Sequence, residues 1–148
     1  MSTGDVPTNS NASTVVDLNG DGFLDTYMTG WWNENSTSAD VIYTSYSDGL
    51  SDPCWSRTWV YGPPWQQKGV TPCDFDEDGD QDLYVSGYWY NASSLWRNDG
   101  FNGSTGLTDV AAAYGASNGA GHTQGSCWAD VNNDGHFDIF NANFAHPG

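Results

Sequence analysis

Positive charge is nearly absent: 148 residues carry three Lys plus Arg against nineteen Asp plus Glu, a formal net charge of −16. Nucleic acid and anionic membrane surfaces both demand basic patches, so neither is an expected partner. Long apolar runs are lacking as well. No stretch approaches the roughly 18 residues of a membrane span, and "MSTGDVPTNSNAST" has neither the charged start nor the apolar centre of a signal peptide. A secreted protein would then be numbered here as a mature chain or an excerpt. Cysteine is scarce and odd in number, with Cys54, Cys73 and Cys127. A Cys54 to Cys73 bridge is the favoured candidate because it closes the shortest of the three possible loops. Sequence does not fix connectivity, and free thiols throughout are the alternative. Cys127 is then a buried thiol or pairs outside the chain.

Acid, by contrast, is abundant and patterned. "DFDEDGDQD" at 74–82 puts six acidic side chains into nine positions, and "DLNGDGFLD" at 17–25 and "DVNNDGHFD" at 130–138 follow the same template. Positions 1, 3, 5 and 9 are Asp17, Asn19, Asp21 and Asp25, then Asp74, Asp76, Asp78 and Asp82, then Asp130, Asn132, Asp134 and Asp138. Position 6 is glycine each time: Gly22, Gly79 and Gly135. Alternate oxygen side chains around a glycine-permitted turn converge on one centre, and a cation relieves their repulsion. Calcium suits this best, because it takes six to eight oxygen ligands in loose geometry, whereas magnesium wants a stricter octahedron and zinc wants softer donors. Position 7 offers only its backbone carbonyl, so Phe23, Asp80 and His136 can differ there. An EF-hand begins the same way but needs a bidentate Glu at position 12. Here that position holds Met28, Val85 and Asn141. Ten of the nineteen acids occupy the side-chain ligand positions, and three calcium ions would bring the net charge to −10.

The loops start at residues 17, 74 and 130, so the chain repeats with a period of about 57. After each loop comes an aromatic-rich segment: "DTYMTGWWNENST", "DLYVSGYWYNASS" and "DIFNANFAHPG". Leu83, Val85 and Trp89 alternate with Tyr84, Tyr88 and Tyr90, which predicts a strand covered on both faces. A second strand is expected at "DVIYTSY" and "SLWRN", each followed by an Asp-Gly hairpin signal, Asp48-Gly49 and Asp99-Gly100. "RTWVYG" and "LTDVAAAYG" complete the units, with a weak helical turn around Ala111 to Ala113. Aromatic content of 15%, with eight Trp and eight Tyr, supplies a core despite few aliphatic residues. Short strands, two-sided burial and a loop at fixed period predict an all-β fold of antiparallel propeller-type blades, either an incomplete propeller or an open array. A β-sandwich is the rival and does not require the fixed period.

The loop followed by D-[LI]-[YF], then "SLWRNDG", "LTDVAAAYGA" and "GHTQGSCWADVNNDGHFDIFNANF", resembles the FG-GAP or VCBS repeats of integrin α-subunit propellers and many secreted proteins. The resemblance spans most of residues 14–148, divided at about 14–70, 71–126 and a partial 127–148, with 1–13 as an N-terminal segment. It implies blades that hold calcium between two strands, and an extracellular or cell-surface setting. It does not imply one activity, because such repeats serve adhesion, display and scaffolding alike. Two full repeats and part of a third cannot close a ring alone, so the expected partners are copies of the chain or further blades, together with glycans or extracellular proteins.

Four N-x-[ST] sequons, at Asn11, Asn35, Asn91 and Asn102, are glycosylation candidates. Trp31, Trp32, Tyr88, Trp89 and Tyr90 raise a lectin-like alternative, in which sugar rings stack on exposed aromatics; a scaffold would instead bury them between blades. Catalysis is not expected. Acids that hold calcium are ionised and donate protons poorly, no G-x-S-x-G occurs, and His122, His136 and His146 lack metal-ligand spacing.

Overall fold

The computed structural model describes residues 10–30, 40–47, 49, 54–60, 66–119 and 121–144. Among them there is no helix, and ten strands form three antiparallel sheets. The first comprises β1 (Ser10–Val16), β2 (Asp25–Gly30), β3 (Asp40–Tyr46) and β4 (Cys54–Val60). The second comprises β5 (Gln67–Cys73), β6 (Asp82–Gly87), β7 (Ser94–Asn98) and β8 (Leu107–Asp109), and the third pairs β9 (Thr123–Ala129) with β10 (Asp138–Asn143). Sequence order equals spatial order in each sheet, which makes each a meander. The first strands stack in succession, β1 against β5 and β5 against β9. This is the expected blade architecture, two four-stranded blades followed by a two-stranded one, with no closed ring.

The core lies between blades rather than within them. Val16, Leu18, Tyr27 and Ile42 of the first blade pack against Leu83, Val85, Trp96 and Phe101 of the second. Tyr84, Leu95 and Ala111 of the second, with Phe75, then meet Trp128 and Ile139 of the third. All six residues of β6 are buried, as its two-sided apolar pattern predicts, because it lies between neighbours on both faces. The Asp99-Gly100 signal does mark a hairpin, but the connection runs from Asn98 to Leu107, wider than a two-residue turn. Its middle is held by Asn102 Oδ1, which accepts the N–H groups of Ser104 and Thr105 at 3.2 and 3.1 Å. Around Ala111 the chain makes one turn, closed by the Tyr114 N–H to Val110 O at 3.2 Å. Asp48 of the other hairpin signal, with Trp31, Trp32, Asn35 and His146, lies outside the described residues.

Two expectations need correction. Cys54 and Cys73 form no disulfide. Cys54 opens the outermost strand of the first sheet, whereas Cys73 closes the first strand of the second sheet, which stacks chiefly on β1 and β2 at the opposite side. Cys127 is exposed rather than buried, because the face of β9 that carries it has nothing packed over it among the described residues. In addition, β1 starts at Ser10, inside the stretch read as an N-terminal segment.

Candidate metal centre

Each acidic loop joins the first and second strands of its blade, and the three are built by the same hydrogen bonds. The position 1 carboxylate accepts the N–H of positions 5 and 6. In the first loop Asp17 receives Asp21 and Gly22 at 3.2 and 2.8 Å. In the second Asp74 receives Asp78 and Gly79, both at 3.0 Å. In the third Asp130 receives Asp134 and Gly135 at 3.1 and 3.0 Å. The position 5 carboxylate accepts the N–H of position 7: Phe23, Asp80 and His136, at 2.8, 2.9 and 2.9 Å. These bonds face the acidic side chains inward. In the second loop they bring carboxylate oxygens of Asp74, Asp76 and Asp78 within 4.8 Å of one another, a cluster able to hold a metal ion.

The first and third loops replace the middle acid with Asn19 and Asn132. Their side-chain amides donate to Asp21 and Asp134 at 2.9 and 3.0 Å, so an amide dipole relieves repulsion that the second loop retains. That loop shows the strain electrically. Asp76 is held above the usual carboxylate range by its desolvation and then by the neighbouring charge of Asp78. Asp134 is held below it by the His136 N–H and the Asn132 amide. Crowded, partly desolvated carboxylates, whose mutual repulsion the Arg97 charge offsets only in part at Asp76, fit a divalent ion of oxygen-loving character.

Position 9 plays a different part. Asp25 and Asp82 are fully buried. Each uses Oδ2 to accept the N–H of position 2, Leu18 or Phe75, both at 2.9 Å. Each uses Oδ1 to accept an N–H of the third strand, Ser45 at 2.9 Å and Asn98 at 2.7 Å. Burial pushes Asp82 up to about 6, against the lowering effect of those bonds. Asp82 lies outside the Asp74, Asp76, Asp78 cluster, and its carboxylate ties loop to blade. Among the described residues, Asp138 has the loop bond only, to the Val131 N–H at 3.1 Å.

Sequence reasoning singled out position 6, where Gly22, Gly79 and Gly135 have φ of 88°, 100° and 92°. It missed position 4, which also lies in the left-handed region: Gly20 at 69°, Glu77 at 61° and Asn133 at 60°. Glycine and asparagine are at home there, and the Gly20 and Asn133 pair was the available signal; Glu77 hides it. Glu77 reaches His136 of the next loop, Oε1 to Nδ1 at 3.4 Å.

At the far end of the second blade, Trp89 and Tyr90 stand 59% and 60% exposed after β6, with φ of 57° and 61°. His122 is buried behind them, its ring 5.4 Å from Trp89 and 4.4 Å from Tyr90. Of the sequons, Asn102 and Asn11 are exposed and Asn91 is half-buried. Asn91 Nδ2 donates to Tyr88 O at 2.6 Å and Asn11 Nδ2 to Gln67 O at 3.0 Å.

Serial four-stranded meanders with one acidic loop at the same corner define a blade-repeat scaffold. The model of the FG-GAP-like repeat family matches twice, at residues 17–85 and 74–140, and the chain belongs to that family. Each match runs from one acidic loop through the strand after the next, so the recognised unit includes the contact between blades. No curated protein matches the chain.

Proposed function

We propose that this chain is an extracellular calcium-binding scaffold with an adhesive or structural role, whose blades continue into further blades or copies of itself. The observation that carries the reading is the hydrogen-bond frame that the three loops share, in which the position 1 carboxylate accepts the N–H groups of positions 5 and 6 and the position 5 carboxylate that of position 7, so that acidic oxygens converge. Extracellular setting follows the habit of FG-GAP-like repeats, and among the described residues no helix is long and apolar enough to cross a membrane. Asp17, Asn19, Asp21 and Asp25, with the Phe23 carbonyl, would serve the first ion. The second and third would use the matching positions, including the Asp80 and His136 carbonyls. Loop formation and ion binding are then linked, so the ion's binding energy supports the fold. The test is the light-scattering mass and the unfolding temperature in millimolar calcium and in excess chelator. A calcium-dependent gain in both supports the scaffold. Identical values in the two solutions would overturn the calcium reading.

A second reading, a lectin-like segment, is favoured by the exposure of Trp89 and Tyr90. Bulky residues in the left-handed region cost about 1–3 kcal/mol each, and that strain presents two rings to solvent. Sugar rings stack on such faces. Fluorescence titration of the eight tryptophans with simple saccharides checks this: a saturable response lost in Trp89→Ala supports it, and no response to any sugar refutes it. Asn102, exposed on the β7–β8 connection, is the glycan acceptor we favour among the described sequons.

A further inference from the structure

The second blade shows how its outer half locks onto the first. Asn98, at the end of β7, is fully buried and its N–H caps Asp82 Oδ1 at 2.7 Å. Its side-chain amide bridges two carbonyls, Leu18 O at position 2 of the previous blade's loop (2.8 Å) and Gln81 O at position 8 of its own loop (3.1 Å). Asn98 Oδ1 then accepts the Phe101 N–H at 2.7 Å, which turns the Phe101 ring into the cluster with Leu18 and Tyr27. One Asn and a Phe three residues later therefore close the junction.

The next junction has the receptor for this device but not the device. Phe75 and Phe137 stand at the positions of Leu18 and Gln81. With Asp76, Glu77, Tyr114 and His136 they line an open cleft of about 390 Å³. Tyr114 and Phe137 are 57% and 48% exposed. No third-strand N–H reaches Asp138 Oδ1 among the described residues, where Asp25 and Asp82 each receive one. Beside it, among the described residues β10 pairs with β9 alone, where β2 and β6 each take a third strand. Burial follows: β6 is wholly buried, whereas no residue of β10 is.

We propose that the β10 edge and the Phe75–Phe137 cleft together accept an antiparallel β-hairpin of the same repeat type, carrying Asn and, three residues on, Phe. The register of β6 with β7 transfers directly. Leu83, Tyr84 and Val85 face Trp96, Leu95 and Ser94, so Ile139, Phe140 and Asn141 receive the residues at those hairpin positions. The Asn N–H caps Asp138 Oδ1, its amide bridges the carbonyls of Phe75 and Phe137, and the Phe ring enters the cleft. Strand addition supplies main-chain bonds, and the ring supplies selectivity. The occupant is named by continuity with the junction already formed between the first two blades. This extends the scaffold reading by giving the chemistry of what docks next.

The test uses the full chain in millimolar calcium and a synthetic peptide copying residues 93–109, the chain's own β7–β8 hairpin. The expected result is saturable one-to-one binding, with new hydrogen-exchange protection confined to β10 amides. Peptides carrying Phe101→Ser or Asn98→Ala should bind at least about tenfold more weakly. Because a free peptide forms a hairpin poorly, the same segment is also fused after Gly148 through a flexible linker. Protection of β10 in the fusion, lost on Phe101→Ser in the fused copy, supports the proposal equally. Absence of protection in both formats overturns it, as does binding indifferent to the Phe. If β10 amides are already protected by a dimer that the peptide does not displace, a second copy holds the edge in another way and the hairpin proposal fails. Amide protection is read here, not mass or metal dependence, so this proposal and the calcium reading fail separately.

Discussion

Asp40 opens β3 at the junction of the first two blades and is only 5% exposed. Its carboxylate accepts the Tyr27 hydroxyl and the Gly30 N–H at 2.8 Å, and the Gln67 amide, turned to donate, lies 2.6 Å from Oδ1. No cation is among these partners. Burial raises the Asp40 carboxyl from 3.8 to about 6, more than the Tyr27 and Gly30 bonds lower it. The fold thus holds this proton more tightly than the unfolded chain does. Stability from this site is greatest below about pH 4 and declines as pH rises through the interval from 3.8 to about 6. At about 1.4 kcal/mol per pH unit, the decline amounts to roughly 3 kcal/mol at neutral pH. Asp40→Asn removes the charge and keeps the shape. Its carbonyl, in the Oδ1 place, still accepts the Gly30 N–H, and its NH2, in the Oδ2 place, faces the Tyr27 oxygen and a Gln67 amide turned to accept; the Tyr27 hydroxyl proton loses its acceptor, at a cost of about 1–2 kcal/mol. The variant should therefore be more stable than the parent by about 1–2 kcal/mol at pH 7.5 and less stable than it by about 1–2 kcal/mol at pH 4. Urea unfolding of both proteins at each pH, in the same calcium concentration, measures the difference, and effects of acid on the loops cancel within it. A variant less stable than the parent at pH 7.5, or a difference constant with pH, would refute the reasoning.

Three further outcomes are expected. Asp78→Ala should weaken the protein by about 1.5–2.5 kcal/mol in 10 mM calcium, the linkage value for a site with Kd near 10⁻⁴ to 10⁻³ M. In chelator it should change little, and equal losses in thermal scans of both solutions would remove the metal from that loop. Glu77→Gly should stabilise by about 0.5–1 kcal/mol, since relief at φ 61° exceeds the glycine entropy cost and the exposed pair with His136 contributes little; a lower urea midpoint would show that pair to matter more. Gly87→Ala should cost more than about 3 kcal/mol, because the added Cβ would sit 2.5 Å from the backbone oxygen of Ala92. Wild-type-like unfolding of that variant would mean the β6–β7 turn relaxes freely.

The parts of this fold legible in the sequence are those whose side chains repeat for a physical reason. Loops at a fixed period, and second strands such as "DLYVSG" with both faces apolar, each announce their place because a buried middle strand must be apolar on both sides. The first strands were not legible. "SNASTVV", "QKGVTPC" and "TQGSCWA" are polar, small or interrupted by proline, and read as approaches to the loops. The structure explains the composition. These strands stack at the narrow side of the array, where β5 and β9 approach so closely that a Cβ on Gly69 would lie 3.1 Å from Gly125 Cα. Thr71 Oγ1 donates to Ser126 O at 2.9 Å, and Ser86 Oγ lies 3.2 Å from Ser126 Oγ. Small polar residues bonded across blades replace apolar contact there, so hydrophobic periodicity carries no signal. Position 9 has a further role that was hidden for a related reason. Spacing alone makes Asp82 look like a ligand equal to the others, whereas its two carboxylate oxygens also accept the N–H groups of Phe75 and Asn98 and so tie the loop to the blade. A residue 16 places away in sequence sets that role, and no local pattern could reveal it.

The same reasoning explains why the third repeat matches its family while its strands differ in burial. Asp138, Ile139 and Phe140 carry the residue types of Asp82, Leu83 and Tyr84, yet Phe140 is 68% exposed and Tyr84 is fully buried. Residue type follows the environment for which a position is suited, and exposure follows what is packed there. An aromatic ring at a position that two earlier blades bury is what the proposed next blade would cover. Replacing Phe140 with Ser should separate the two cases. On a surface meant for solvent it would leave stability unchanged and raise solubility. On a face meant for the next blade it would leave the isolated chain equally stable, but abolish any mass increase that calcium induces in light scattering.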